Sequence, residues 1–204
     1  MRFLVPYAAD RPKTRLSPAL DDDERAAFAA AMRRDVVSAV RAAGHDAAVL
    51  STAPLDSADA PVAVDDRPLS AAVNAALDGS TPLGVLAADL ALVTPAAVSR
   101  LADAEGDVVI APGRGGGTNA LVVRHPDFRV DFHGASYLDH RAAARQVDAA
   151  VTEVDSMRLA TDVDDPPDLV EVLLHGTGEA RKWLVDAGFA LDVGDGRVGV
   201  RRET

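Results

Sequence analysis

Three short runs carry no polar side chain: Phe3-Leu4-Val5, Leu83-Gly84-Val85-Leu86-Ala87 and Val108-Val109-Ile110-Ala111. Apolar runs of this length without alternation mark strands buried on both faces, which need helices above and below them. The chain supplies such helices. Asp21-Asp22-Asp23-Glu24 opens one that runs to about Ala43, with carboxylates at its positive start and Gly44 in the C′ position. Its core face is Ala27, Ala31, Met32, Val36, Val37 and Val40, recurring at helical spacing. The strand Ala47–Leu50 follows, and strand, loop, helix and strand together begin a right-handed βαβ unit. Further along, the pattern predicts strands at 62–64, 119–123 and 151–154. Helices are predicted at 69–77, after Thr94-Pro95, at 137–146 and at 168–174. The alternation predicts an α/β fold, a three-layer sandwich around a mostly parallel mixed sheet. Residues 1–175 are expected to form one domain. Residues 176–204 are expected to add an appendix of one helix (179–186) and a hairpin turning at Asp195-Gly196, whose exposed edge offers a homodimer contact.

Composition narrows the function. The formal charge is −11, and the acid is overwhelmingly aspartate, with 26 Asp against 6 Glu. That field opposes a polyanion, so nucleic acid is excluded as a partner. Excess carboxylate with two lysines in 204 residues suits a protein kept soluble in concentrated salt, although a GC-rich genome also raises Ala, Asp and Arg. With no cysteine, disulfides, thiolate catalysis and cysteine-based zinc sites are excluded. No apolar run reaches membrane-spanning length, and Met1-Arg2-Phe3-Leu4 leads into a strand, so a soluble cytoplasmic protein is expected.

One of the two lysines, Lys13, lies in Arg11-Pro12-Lys13-Thr14-Arg15-Leu16-Ser17-Pro18, directly after the first strand. A cationic loop at the carboxyl end of a strand is where open α/β sheets take anionic ligands. Asp89 follows the apolar run 83–87 at the same kind of edge, and Thr94 is the better cap for the helix beyond it, so Asp89 reads as functional. Asp162 and Asp164 alternate, which in extended chain puts both carboxylates on one side. With a third carboxylate across a cleft they form a hard oxygen site suited to Mg²⁺ and phosphate. Asp165 alone can cap the Pro-initiated turn that follows. Gly113-Arg114-Gly115-Gly116-Gly117-Thr118 has no closing Gly-Lys-Ser/Thr and is not a Walker loop, yet its glycines allow anion-binding amides. Ser136 is read as the N-cap of the next helix, where amides accept phosphate. The five histidines show no metal-ligand spacing, and no serine sits in a nucleophile elbow.

Taken together and in order, five segments resemble one family. They are Lys13–Pro18, Ala88-Asp89-Leu90-Ala91-Leu92-Val93-Thr94-Pro95, Gly116–Leu121, Ser136-Tyr137-Leu138-Asp139-His140 and Asp162-Val163-Asp164-Asp165-Pro166. The family is the 2-phospho-L-lactate guanylyltransferases of coenzyme F-420 biosynthesis, and the resemblance spans roughly residues 1–175. It implies a glycosyltransferase-A-like (Rossmann-like) nucleotidyltransferase fold. The implied reaction joins GTP and (2S)-2-phospholactate, a phosphorylated three-carbon acid, with release of pyrophosphate. It also implies Mg²⁺ held by Asp89, Asp162 and Asp164, and Lys13 and Arg15 acting on the triphosphate. Thr118, His133, Gly134 and Ser136 are expected at the acceptor's phosphate, and Gly116 and Gly117 at the nucleotide. Residues 51–74, with Asp65, Asp66 and Asn74, are expected to choose the base. The sequence departs from the family pattern at His133, where glycine is frequent, and at Gly113, where aspartate is common. Alternatives are phosphoenolpyruvate as acceptor, a molybdopterin or sugar-phosphate nucleotidyltransferase, and a non-catalytic nucleotide-binding regulator. The first loop lacks the glycines of the second of these, and the three aspartates weigh against the last.

Overall fold

A computed structural model describes residues 1–55, 59–194 and 196–203. Seven strands form one sheet: β1 (Arg2–Tyr7), β2 (Asp46–Ser51), β3 (Val62–Val64), β4 (Leu83–Leu86), β5 (Val108–Pro112), β6 (Thr118–Val123) and β7 (Val151–Glu153). Their order across the sheet is β3-β2-β1-β4-β6-β5-β7, and only β6 runs against the others. The chain passes from β1 to β2 on one side and returns to place β4 on the other. That reversal opens a crevice at the carboxyl ends of β1 and β4, the place where open α/β sheets bind ligands. The loops carrying Lys13 and Asp89 leave those two strand ends.

Close packing aligns these two strands. Phe3 stands opposite Gly84 and is fully buried. A Cβ on Gly84 would lie 2.1 Å from the Phe3 ring, so only glycine lets the ring lie over β4.

Helix α1 (Asp22–Ala42) begins with a capping box, in which Asp21 accepts from the Glu24 N–H and Glu24 accepts from the Asp21 N–H. Gly44 ends it at φ +81°. Helices α2 (Leu69–Gly79), α3 (Pro95–Asp103), α4 (Ser136–Gln146), α5 (Met157–Ala160), α6 (Leu169–His175) and α7 (Glu179–Asp186) complete the outer layers. Thr94 caps α3 with Pro95 at its first position, as expected.

The C-terminal segment packs against α1. Asp35 accepts hydrogen bonds from the N–H groups of Glu179 and Ala180 at 2.7 and 2.9 Å, capping α7 from a distance of 144 residues in sequence. Phe28, Met32, Ala180, Leu184 and Phe189 share one buried cluster. Strands β8 (Phe189–Asp192) and β9 (Gly199–Arg202) pair antiparallel; Asp195 of the expected turn lies outside the described residues. Among the described residues, no helix is long and apolar enough to cross a membrane.

Candidate active site

The basic loop is held in a strained form. Arg11 and Lys13 both take positive φ, 43° and 53°, a region that costs a residue with a Cβ about 1 kcal/mol or more. The strain is offset by Leu16, fully buried at the end of the 3-10 turn Thr14–Leu16. The result turns Lys13 inward. Its Nζ lies 2.5 Å from Asp89 Oδ2 and 2.8 Å from Asp164 Oδ1. Arg15, at the mouth, pairs with Asp164 and stands 3.7 Å from Asp165.

The acidic partners are positioned by backbone and by one buried apolar residue. Val163 is completely buried, which turns Asp162 and Asp164 to the opposite side of the extended segment. Asp168 accepts from the N–H groups of Asp164 and Asp165 at 3.0 and 2.8 Å, while Asp165 stands at the N-cap of the turn Pro166–Asp168.

Asn119 holds Asp162 in turn, a role the sequence reading did not assign. It is buried, and its Nδ2 donates to the Leu159 carbonyl at 3.0 Å and to Asp162 Oδ1 at 3.2 Å. A Cβ on Gly113 would sit 2.4 Å from Asn119 Oδ1, so glycine at this position makes room for the amide. The signal is a pair of polar residues, Thr118 and Asn119, at the start of an otherwise apolar strand.

Charge in the site is unevenly balanced. Burial alone would lower the Lys13 pKa, but Asp89 and Asp164 together raise it above the ordinary lysine value. Burial would raise Asp164, and the nearby Lys13 and Arg15 overcome it and hold that carboxyl below its usual range. Asp162 goes the other way: burial raises it, Asp89 and Asp164 add to the rise, and the Asn119 hydrogen bond only partly opposes them. Asp89 Oδ1 is buried without a hydrogen-bond partner.

A partnerless buried carboxylate oxygen beside a second carboxyl that resists ionisation fits a site completed by a hard cation. In this structure, the Lys13 ammonium stands between Asp89 and Asp164. Among the described residues, no three acidic or imidazole groups close around a common point.

A cleft of about 460 Å³, within the range of small-molecule sites, joins these groups to the rest of the constellation; its lining includes Lys13, Asp89, Asp164, Thr118, Asn119 and Arg67. The Thr118 N–H donates to Ser136 Oγ at 2.9 Å, and the Thr118 hydroxyl lies 2.9 Å from His140 Nδ1.

One expectation is corrected, and the surroundings of the other expected residues are defined. Ser136 is the first residue of α4, not its N-cap; Ala135 holds that position without a side-chain cap, because the Ser136 hydroxyl is committed across to β6. The glycine loop closes on itself as the β5–β6 turn. The amides of Gly113, Arg114 and Gly116 are spent on the carbonyls of Gly117, Ala160 and Gly113. Gly116 and Gly117 lie beside the start of α4 and do not line the cleft. Asn74 is not at the cleft either: it clasps both the N–H and the carbonyl of Val130, at 2.8 and 3.0 Å. Asp65 does line the cleft, paired with Arg67, which holds its carboxyl down at about 2. Gly134 turns at φ +51°, and the His133 ring is exposed and paired with Asp131.

Comparison with known proteins supports the fold and assigns the family. A Desulfovibrio desulfuricans protein described as a nucleotide-diphospho-sugar transferase superposes with a TM-score of 0.71 over 91% of this chain and 94% of its own, at 16% identity. A nucleotidyl transferase from Methanothermobacter superposes at 0.59 over 86% and 97%, at 18% identity. The model of the family "Guanylyl transferase CofC like" matches residues 1–202. The chain belongs to the CofC-like guanylyl transferase family. Two relatives named 2-phospho-L-lactate guanylyltransferase are similar along their whole length. That of Halomicrobium mukohataei is 60% identical over 99% of this chain and 100% of its own. That of Haloferax volcanii is 61% identical over 100% and 99%. The family match runs through α7 and the β8–β9 hairpin, so the segment left outside the sequence resemblance belongs to the family's length. A guanylyl transferase of this family is an enzyme of the nucleotidyltransferase class.

Proposed function

We propose that the enzyme joins GTP and (2S)-2-phospholactate to give lactyl-2-diphospho-5′-guanosine and pyrophosphate in coenzyme F-420 biosynthesis. It is proposed to work with Mg²⁺, in the salt-rich cytoplasm of a halophile. The names of its whole-length relatives support this reading. The observation that carries it is the sharing of one lysine ammonium by Asp89 and Asp164 in the same cleft as the Thr118 hydroxyl.

The acceptor's phosphate is already a nucleophile, so the site needs no general base. One of its oxygens attacks the α-phosphorus of GTP; the new P–O bond forms as the α–β bridge breaks, and pyrophosphate leaves with the electron pair. The protein's task is to align two polyanions and neutralise them. Arg15, largely exposed at the mouth, meets the triphosphate, and Lys13 places a second positive charge deeper in the cleft. Thr118 and Ser136 receive the acceptor's phosphate at the first turn of α4. Asp89, Asp162 and Asp164 would hold Mg²⁺, which when bound supplies positive charge to the phosphates and the leaving group.

The test is a pyrophosphate-release assay in high salt with Mg²⁺, crossing each nucleoside triphosphate with phospholactate, phosphoenolpyruvate and phosphoglycerate. Turnover with GTP and phospholactate above every other pair is the expected result. Preference for another nucleotide or acceptor would overturn the assignment.

A further inference from the structure

His140 takes no part in the chemistry described so far, yet it is fully buried on α4 with both ring nitrogens engaged. Nε2 lies 3.0 Å from the backbone nitrogen of Asp131. A backbone N–H can only donate, so Nε2 must present its lone pair, and the ring's proton must then sit on Nδ1. Nδ1 faces Thr118 Oγ1 at 2.9 Å, so the imidazole donates to the threonine hydroxyl. Phe132 packs edge-on against the ring at 5.0 Å between centroids, and Phe128 lies at 6.1 Å, which fixes its orientation.

The consequence falls on Thr118. Its oxygen accepts from His140, and its own proton has no other partner among the described residues. Thr118 is more than nine-tenths buried and lines the cleft. The same arrangement is repeated next to it: Ser136 Oγ accepts from the Thr118 N–H, which leaves the serine proton free as well. Two adjacent hydroxyls, each already accepting from a protein donor, keep their O–H protons for a ligand and have only one lone pair left with which to accept. That pair suits an acceptor-only group, an ionised phosphate, and disfavours a ligand that would itself donate there.

We propose that His140 is a positioning residue which, by donating from Nδ1 to Thr118, commits the Thr118 hydroxyl to donate to the phosphate of the three-carbon acceptor. This rests on the reading of Thr118 and Ser136 as the acceptor's phosphate site. Neutrality of the ring is supported independently, because burial pushes the imidazole down to about 4, against smaller opposing effects of Asp131 and Asp139.

Two measurements test the proposal on the full chain. In ¹⁵N-histidine NMR of the wild type, His140 should hold one neutral, Nδ1-protonated form from about pH 6 to 8. An Nε2-protonated ring, or titration within that range, would overturn it whatever the enzyme's substrate proves to be. In kinetics, His140→Leu should raise the acceptor KM about tenfold or more while the Kd for GTP stays within about twofold. Thr118→Val should do the same, and the double variant should be no worse than the poorer single one. His140→Asn, whose amide can replace the Nδ1 donor, should recover most of the loss. Multiplicative effects of the two substitutions, equal weakening of GTP, or no recovery by asparagine would sink the idea. Should the wild type use no phosphorylated three-carbon acid at all, the proposed function fails, while the NMR result still decides the orientation of the hydroxyl.

Discussion

The backbone N–H of Val163 donates to the carbonyl oxygen of Asp89 at 3.3 Å. This one bond ties the loop that follows β4 to the extended segment that carries Asp162 and Asp164, more than seventy residues later. With the Val163 side chain sunk in the core, Asp164 meets Lys13 and Asp162 meets Asn119, close enough to Asp89 for the two carboxyls to repel. The acidic site is therefore a product of strand ends and loop register, not of one local motif.

Asp89→Asn should abolish turnover, by about a thousandfold or more, while circular dichroism and thermal unfolding stay close to wild type. The amide keeps the shape of the carboxyl and removes the charge that meets Lys13 and that would hold the proposed cation. Guanylyl transfer retained in this variant would refute the role of Asp89.

Gly113→Ala should act at a distance through Asn119. The added methyl collides with the amide that steadies Asp162, so activity should fall while stability changes by about 1–3 kcal/mol. Asn119→Ala should mimic the kinetic defect without the clash, which steady-state rates compared with unfolding curves will show.

Gly84→Ala should behave differently, destabilising the fold by about 2 kcal/mol or more without changing KM in the protein that remains folded. The new Cβ meets the ring of Phe3, which is fully buried. Denaturant titration checks the loss. Paired replacement with Phe3→Leu should return part of it.

Acid stability should carry a signature of His140. In the unfolded chain the ring binds its proton near pH 6.5, whereas in the fold it does so only near about 4. The unfolded state thus binds more protons in that interval, and stability falls as pH drops from about 6.5 to about 4. The loss from this group reaches on the order of 3 kcal/mol at the lower end. Unfolding free energies of the wild type and His140→Asn, measured across that window, should differ in slope with the variant flatter; parallel curves would contradict it.

Net charge gives the last expectation. With −11 spread over 204 residues, transfer from molar salt to about 0.1 M lengthens the screening distance from about 3 to about 10 Å. Self-repulsion then grows, and the unfolding midpoint should drop, which scanning fluorimetry across a salt series will reveal.

Much of this protein is legible in its sequence. Unbroken apolar runs required strands covered on both faces, the spacing of Ala31, Met32 and Val36 required a helix, and Asp21, Gly44 and Thr94-Pro95 marked helix ends, because these signals arise from local backbone chemistry. Lys13, Asp89, Asp162 and Asp164 stood out because a charge next to a buried strand, or on alternate residues of extended chain, has few purely structural uses. What local pattern could not decide was partnership. The sequence marks Asn74 and the glycine loop as polar, and the fold bonds Asn74 to Val130 and the amides of Gly113, Arg114 and Gly116 to nearby carbonyls. Asn119 and His140 looked ordinary, since their importance lies in a hydrogen bond across the fold to Asp162 and Thr118. A side chain's chemical type is written in the sequence, but which donor meets which acceptor depends on how strands and helices distant in the chain are packed together.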